Sequence, residues 1–439
     1  MKWLIRLAAL YLIAVLFMAW GFAAATYQIF PYELVREVVS FVQGSGEGPE
    51  RSLGDKLMND AGLVPRRFLY KPDRAILDGT APMDLDGLKS RRTTPQSYLD
   101  PAHASGYRVI VGALDFEESF WGALLLGPDG EALHRWHLTT EHLPGNDRGT
   151  AKKVLYGAEL FPDGSLIFTL QEAGGGIVKV DACSEVVWNL NGRFHHTISK
   201  TDDGHFWTFL GGQGDWKQTM ALVSVDTGEI VRQFNMFDIE RENPHVHLFD
   251  LQKDPKQYDP LHGNDIDPLP ASLASRFPSF APGDILLSFR TPSLLMVVDP
   301  ATLEIKWWRV GAAGQQHDPD WEEDGRIAVY GNNTRSLRIH SDIVAIEPAN
   351  HASEVVLDGS DYGFYSLFNG DHQATAFGTR MVTSATQGWV FEVDEAGDIV
   401  FSFVNSYDLD TPRTLHVGEA SRLPEDYFTE DFWNRCPQG

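Results

Sequence analysis

This chain is short of cysteine and of positive charge. Its 439 residues include two cysteines and 36 lysines and arginines against 61 aspartates and glutamates, a formal net charge of −25. That balance argues against nonspecific nucleic-acid binding, which needs a basic surface, and no basic stripe with interleaved aromatics offsets it. Two cysteines suit an oxidising compartment. Cys183 and Cys436 could pair and fasten the tail to the second repeat described below, provided that the fold brings their Cα atoms close enough. The chain has 12 tryptophans and 26 phenylalanines, large rings of the kind that fill space between packed sheets.

The first residues read as a membrane segment. Leu7 to Ala25 is an unbroken apolar stretch of 19 residues behind Lys2 and Arg6, long enough to span the hydrocarbon core as a helix. The basic flank should stay in the cytoplasm and place the rest in the periplasm or outside the cell. Ala23-Ala24-Ala25 could instead be a cleavage site. We expect a signal-anchor transmembrane helix over 1–26, then a juxtamembrane amphipathic helix and connector over 27–107.

Residues 108–408 repeat. Apolar alternating runs closed by an acid recur as Ile177–Asp181, Leu222–Asp226, Met296–Asp299, Ile343–Glu347 and Val390–Asp394, each followed by a second strand-like run; a fainter first copy covers Phe120–Leu138. Upstream lie turn signals, Asp163-Gly164, Asp203-Gly204 and Asp324-Gly325, with Pro282-Gly283-Asp284 as a variant. Six copies of roughly 45 residues with four short strands each predict an all-β, six-bladed β-propeller. The tail, 409–439, is polar and acidic and is expected to pack on its outside.

His196 and His317 each stand eight residues before a hairpin glycine, and His262 opens the fourth copy as His262-Gly263-Asn264. Inner strands of a propeller all begin at one end of the channel, so these positions form a ring. A lone buried histidine is usually a core residue; three in one register point to a site. His195, His205, His245, His247, His340 and His351 lack that register and read as solvated or structural. Metal binding by a histidine with Asp265, Asp318 or Asp320 is the other reading, but no close His-x-His or His-x-x-x-His pair falls on a strand of the ring.

Several of these elements resemble bacterial arylsulfotransferases. Gln315-Gln316-His317-Asp318, the Asp324-Gly325 hairpin and Gly331-Asn332-Asn333 are similar to the family's active-site blade; His262-Gly263-Asn264 resembles its His-x-Asn element, Ile285–Arg290 its arginine-bearing strand, and His195-His196 its earlier histidine. The resemblance implies sulfuryl transfer from an aryl sulfate to a phenolic acceptor without a nucleotide donor, cofactor or metal. His317 is then the nucleophile of a ping-pong cycle through a sulfohistidine, a role that suits an imidazole neutral at pH 7. Arg290 offers its donor fork to the sulfuryl oxygens, His262 and His196 transfer protons, and Asn264 donates a hydrogen bond. Aligning the fourth and sixth copies on Asp299 and Asp394 sets Thr383 opposite Ser288, from where it could touch the sulfuryl group. The chain departs from the family pattern before the first blade, where an anchor replaces a β-sandwich.

A different class of function keeps the same fold: a membrane-tethered propeller that only binds a ligand or a protein partner. It gives the histidine ring no task. A quinone-dependent dehydrogenase would need a repeated Trp-docking motif and an acidic metal cluster, and neither is seen.

Overall fold

A computed structural model describes residues 96–115, 120–138, 142, 155–170, 176–212, 215–251, 259–334, 340–408, 413–414 and 416–436, with Trp3, Arg6 and Trp20. Apart from those last three, the expected anchor lies outside the described residues, as does the connector up to residue 95. Among the described residues no helix is long and apolar enough to cross a membrane.

Six antiparallel sheets follow one another as expected for a propeller. Their innermost strands are Leu155–Leu160, Phe194–Lys200, Gly263–Pro268, His317–Trp321, Asp371–Ala374 and Val417–Leu423. The hairpin glycines sit between first and second strands with positive φ, 78° at Gly164, 84° at Gly204 and 86° at Gly325, the angles a side chain disfavours. The second and third strands are largely apolar. Ile285–Phe289 and Leu294–Val298 are buried at every residue because both faces of these strands meet neighbouring blades. The core therefore sits in wedges between blades. Phe209, Met220, Leu287 and Met296 fill one, and Phe277, Trp307, Trp321 and Val344 fill another.

The tail departs from expectation. Val417–Leu423 does not lie outside; it is the inner strand of the first blade, paired with Tyr107–Asp115, whose own chain continues outward as Phe120–Leu126 and Ala132–His137. Neighbouring blades bury their faces against each other, so a ring left open would expose one face on each side of the gap. The C-terminal strand closes it. A buried ion cluster locks the joint: Arg108 donates to Glu392 Oε2 from Nε and Nη2 at 3.0 and 2.8 Å, and Arg422 Nη1 pairs with the other carboxylate oxygen. Glu392 belongs to the sixth blade and both arginines to the first.

Two more segments differ from their expected places. Gln96–Leu99, expected within the connector, adds a fifth, outermost strand to the sixth blade by pairing with Ile399–Val404. After Leu423 the tail does pack outside: Phe432 stacks on Trp136 with centroids 5.9 Å apart. Cys183 and Cys436 form a disulfide across a Cα–Cα distance of 5.6 Å, which ties the tail to the second blade.

Candidate functional site

Where the inner strands enter the channel, their register is broken. Shifts fall between Gly263 and Asp265, between His317 and Pro319, and in the strand carrying His196 opposite Trp207 and Phe209. His196, His262 and Asp318 have φ of 62°, 53° and 51°, left-handed values that non-glycine residues seldom adopt. Bulges of this kind re-aim side chains, and such backbone strain gathers at functional sites. The blades also crowd here. A Cβ on Gly157 would lie 1.9 Å from the His196 carbonyl oxygen, so only glycine lets the second and third blades approach this closely.

The structure brings five of the six expected residues together, all but Thr383. His196, Asn264 and His317 line one cavity of about 400 Å³ that runs down the channel. His196 and His262 meet edge to face with ring centroids 5.2 Å apart. Arg290 follows directly on the strand Ile285–Phe289, and its backbone N–H donates to the His262 carbonyl at 3.0 Å, which sets the two at one height. Burial, then the Arg290 charge, pushes the His317 imidazole down to about 3. His196 is held well below its usual value by burial first, and then by the cost of placing a charge among His195, His262, His317 and the Arg290 guanidinium. The ring is neutral at these positions around pH 7, and the guanidinium is the fixed cation beside it.

His317 has a defined tautomer. Its Nδ1 lies 2.6 Å from Asn332 Oδ1, and the Asn332 amide nitrogen donates to the carbonyls of Ser366 and Asn369 at 3.0 and 2.7 Å. Those carbonyls only accept, which fixes the amide orientation and makes Oδ1 an acceptor. Nδ1 must therefore carry the proton, and the lone pair is on Nε2. His262 is backed differently, by the Asp259 carboxylate on its Nδ1.

Two expectations change. Asn264 turns its amide nitrogen to the Gln316 carbonyl at 2.7 Å, so its Oδ1, without a partner, is what it presents: an acceptor, not the donor anticipated. Thr383 is fully buried in the second strand of the sixth blade, one layer behind the channel wall, and its hydroxyl donates to Asp371 Oδ2 at 3.2 Å. It matches Ser288 in strand position, as the alignment implied, but an inner strand covers both.

Five contributors were assigned no role in the site. His195, read as structural, is buried, stacks on Phe209 and places its Nδ1 2.7 Å from that of His196. Asp259 and Asn332 were given no role, although Asp259 stands three residues before His262 and Asn332 lies within a quoted motif; neither recurs from blade to blade. The acids Asp371 and Glu419 in the channel wall were also overlooked, Glu419 because its strand was not recognised.

A family model described as Arylsulfotransferase (ASST) matches residues 157–406. No curated protein matches the chain. Among solved structures, a protein of unknown function from Bacteroides caccae is 10% identical with a TM-score of 0.49, and the match covers 73% of this chain and 100% of that one. Virginiamycin B lyase from Staphylococcus aureus is also 10% identical, with a TM-score of 0.38 over 59% of this chain and 71% of that one.

Proposed function

Since this chain belongs to the arylsulfotransferase family, we propose that it moves a sulfuryl group from an aryl sulfate to a phenol in two steps through His317. The observation that carries this is the His317 imidazole: neutral, fixed with its lone pair on Nε2, and set beside Arg290. A neutral imidazole needs no deprotonation before it attacks.

In the first step Nε2 attacks sulfur, the S–N bond forms and the bond from sulfur to the aryl oxygen breaks. The departing phenolate takes a proton from His262. The sulfated imidazole keeps its Nδ1 proton, and Asn332 Oδ1 accepts from it. In the second step the acceptor hydroxyl gives its proton back to His262, its oxygen attacks sulfur, and the S–N bond breaks. His317 returns to its starting form, so protons and charge balance over the cycle. Asp259 stabilises His262 whenever it is charged. Arg290 offers planar donors to the sulfuryl oxygens as charge redistributes, and His195 holds the His196 ring in place.

The Cys183–Cys436 disulfide supports an oxidising compartment, and the apolar stretch Leu7–Ala25 supports a membrane anchor that places the propeller outside the cytoplasm. The activity is tested by incubating the full chain with 4-nitrophenyl sulfate and phenol. Nitrophenol release matched by phenyl sulfate, and lost in His317→Asn, is the expected result; binding without turnover over a panel of aryl sulfates would favour a ligand-binding module instead.

A further inference from the structure

Below the histidine layer the channel wall turns acidic. Asp265, Asp267, Asp318, Asp320, Asp371 and Glu419 come from four inner strands and border the same cavity as His196, Asn264 and His317. Lys200, the lysine on that wall, is paired with Glu159 at 2.6 Å. The hydrogen bonds that Asp265, Asp371 and Glu419 accept come from neutral donors: the Ile266 N–H to Asp265 at 2.6 Å, the Ala420 N–H to Asp371 at 3.0 Å, and the Ala158 N–H to Glu419 at 3.3 Å. A second observation stands apart from the acids. Asn264 is 5% exposed, and its Oδ1 has no hydrogen-bond partner although it belongs to the cavity wall. A buried acceptor left unpaired costs on the order of 1–3 kcal/mol, and a ring of carboxylates has the same need, a cationic donor.

We infer that the channel beneath the sulfuryl site holds a protonated amine carried by the phenolic substrate, which makes cationic phenols the preferred substrate class. This rests on the transfer reading above and deepens it.

A metal ion would satisfy the same charge, but its geometry fits poorly. Calcium needs several oxygens at about 2.3–2.6 Å. Among the described residues, the channel acids whose ligand atoms gather within 4.8 Å are Asp318 and Asp320 with His372, and there Arg380 Nη1 lies 3.3 Å from His372 Nδ1. A cation already occupies that corner. Outside that corner Asp371, whose carboxyl is hydrogen-bonded to that of Asp318, Asp265 with Asp267, and Glu419 come from three further inner strands, an arrangement that suits the three N–H donors of an ammonium on a flexible arm. Burial, with repulsion among the acids, holds Asp267, Asp318, Asp320 and Glu419 well above the usual carboxylate range, so the empty channel keeps protons on these acids and a bound ammonium would draw them off. Depth agrees as well. A strand rises roughly 3.3 Å per residue, so Asp318 begins the acidic layer one residue below His317 and Asp320 lies two further down. A phenol whose oxygen reaches His317 would project its para substituent there, while its sulfuryl group stays beside Arg290.

The test uses one ring with three charges: 4-(2-aminoethyl)phenol, 4-ethylphenol and 4-hydroxyphenylacetate, each titrated calorimetrically into the full chain and then supplied as acceptor with 4-nitrophenyl sulfate. The amine should bind about ten-fold or more tighter than the neutral phenol, and the anion weakest, an order read on the wild type alone. The ratio of amine to neutral phenol should fall toward one in Asp371→Asn and Asp265→Asn. Equal affinity for the three ligands, transfer without preference for the amine, or calcium ions displacing the amine would overturn the inference. Selective amine binding without any transfer would uphold the channel site and defeat the sulfotransferase reading instead.

Discussion

Asn332 accepts the Nδ1 proton of His317 at 2.6 Å, and that contact decides which imidazole nitrogen has a lone pair to offer. Asn332→Ala should leave the fold intact but free the ring to adopt the other tautomer and to rotate. Steady-state kinetics should show kcat lowered on the order of 10²-fold with KM little changed, because the loss falls on attack and not on binding. His317→Asn should lose far more. Equal losses in the two variants would mean that Asn332 does more than orient the ring.

In the proposed mechanism Arg290 supplies the fixed positive charge beside the sulfuryl group. Arg290→Lys keeps the charge and removes the planar fork, so kcat should fall roughly 10²–10³-fold and not recover at high donor concentration. A variant near wild-type activity would show that charge alone suffices.

Closure of the ring depends on Glu392, which stands buried between Arg108 and Arg422. Glu392→Ala leaves two buried guanidinium groups facing each other without a counter-charge. Denaturant unfolding should show about 3–5 kcal/mol of lost stability. Replacing both Cys183 and Cys436 with serine should cost less, about 2–4 kcal/mol, since the inner strand Val417–Leu423 still closes the blade.

Stability should respond to pH with two opposed signs. Burial, with Asp371 adding repulsion, pushes the Asp265 carboxyl up to about 7, so the folded state holds a proton that the unfolded chain gives up near pH 4. That contribution grows as pH falls from 7 toward 4 and is lost as pH rises through 7. Asp265→Asn should therefore be more stable than wild type at pH 8, with the difference shrinking on acidification. His317 works the other way: held down to about 3 by burial and Arg290, it stays neutral when folded while the unfolded imidazole binds a proton below about 6.5, so it destabilises between pH 6.5 and 3. Thermal unfolding of His317→Asn should be less acid-sensitive in that window. No change of slope in either variant would place these groups in solvent.

Much of this was legible because it repeats. Strand endings such as Ile343–Glu347 and turns such as Asp324-Gly325 recur blade after blade, and the same register that revealed the propeller aligned His196 with His317. What the sequence concealed occurs once. Val417–Leu423 carries no hairpin of its own and pairs with Tyr107–Asp115 at the far end of the chain, so nothing local marks it as an inner strand. Asp259 and Asn332 act through a single histidine each and have no counterparts in other blades. Thr383 misled because alignment gives strand position but not which layer faces the channel.

The central claim is that the sulfuryl group rests on His317 between donor and acceptor. It is tested most directly by mixing the protein with 4-nitrophenyl sulfate in the absence of acceptor, quenching at alkaline pH and analysing the peptides by mass spectrometry. The expected result is one sulfuryl group on the peptide containing His317, formed together with a burst of nitrophenol equal to the enzyme and discharged when phenol is added. No burst, or a sulfuryl group on His196 or His262 instead, would contradict the account.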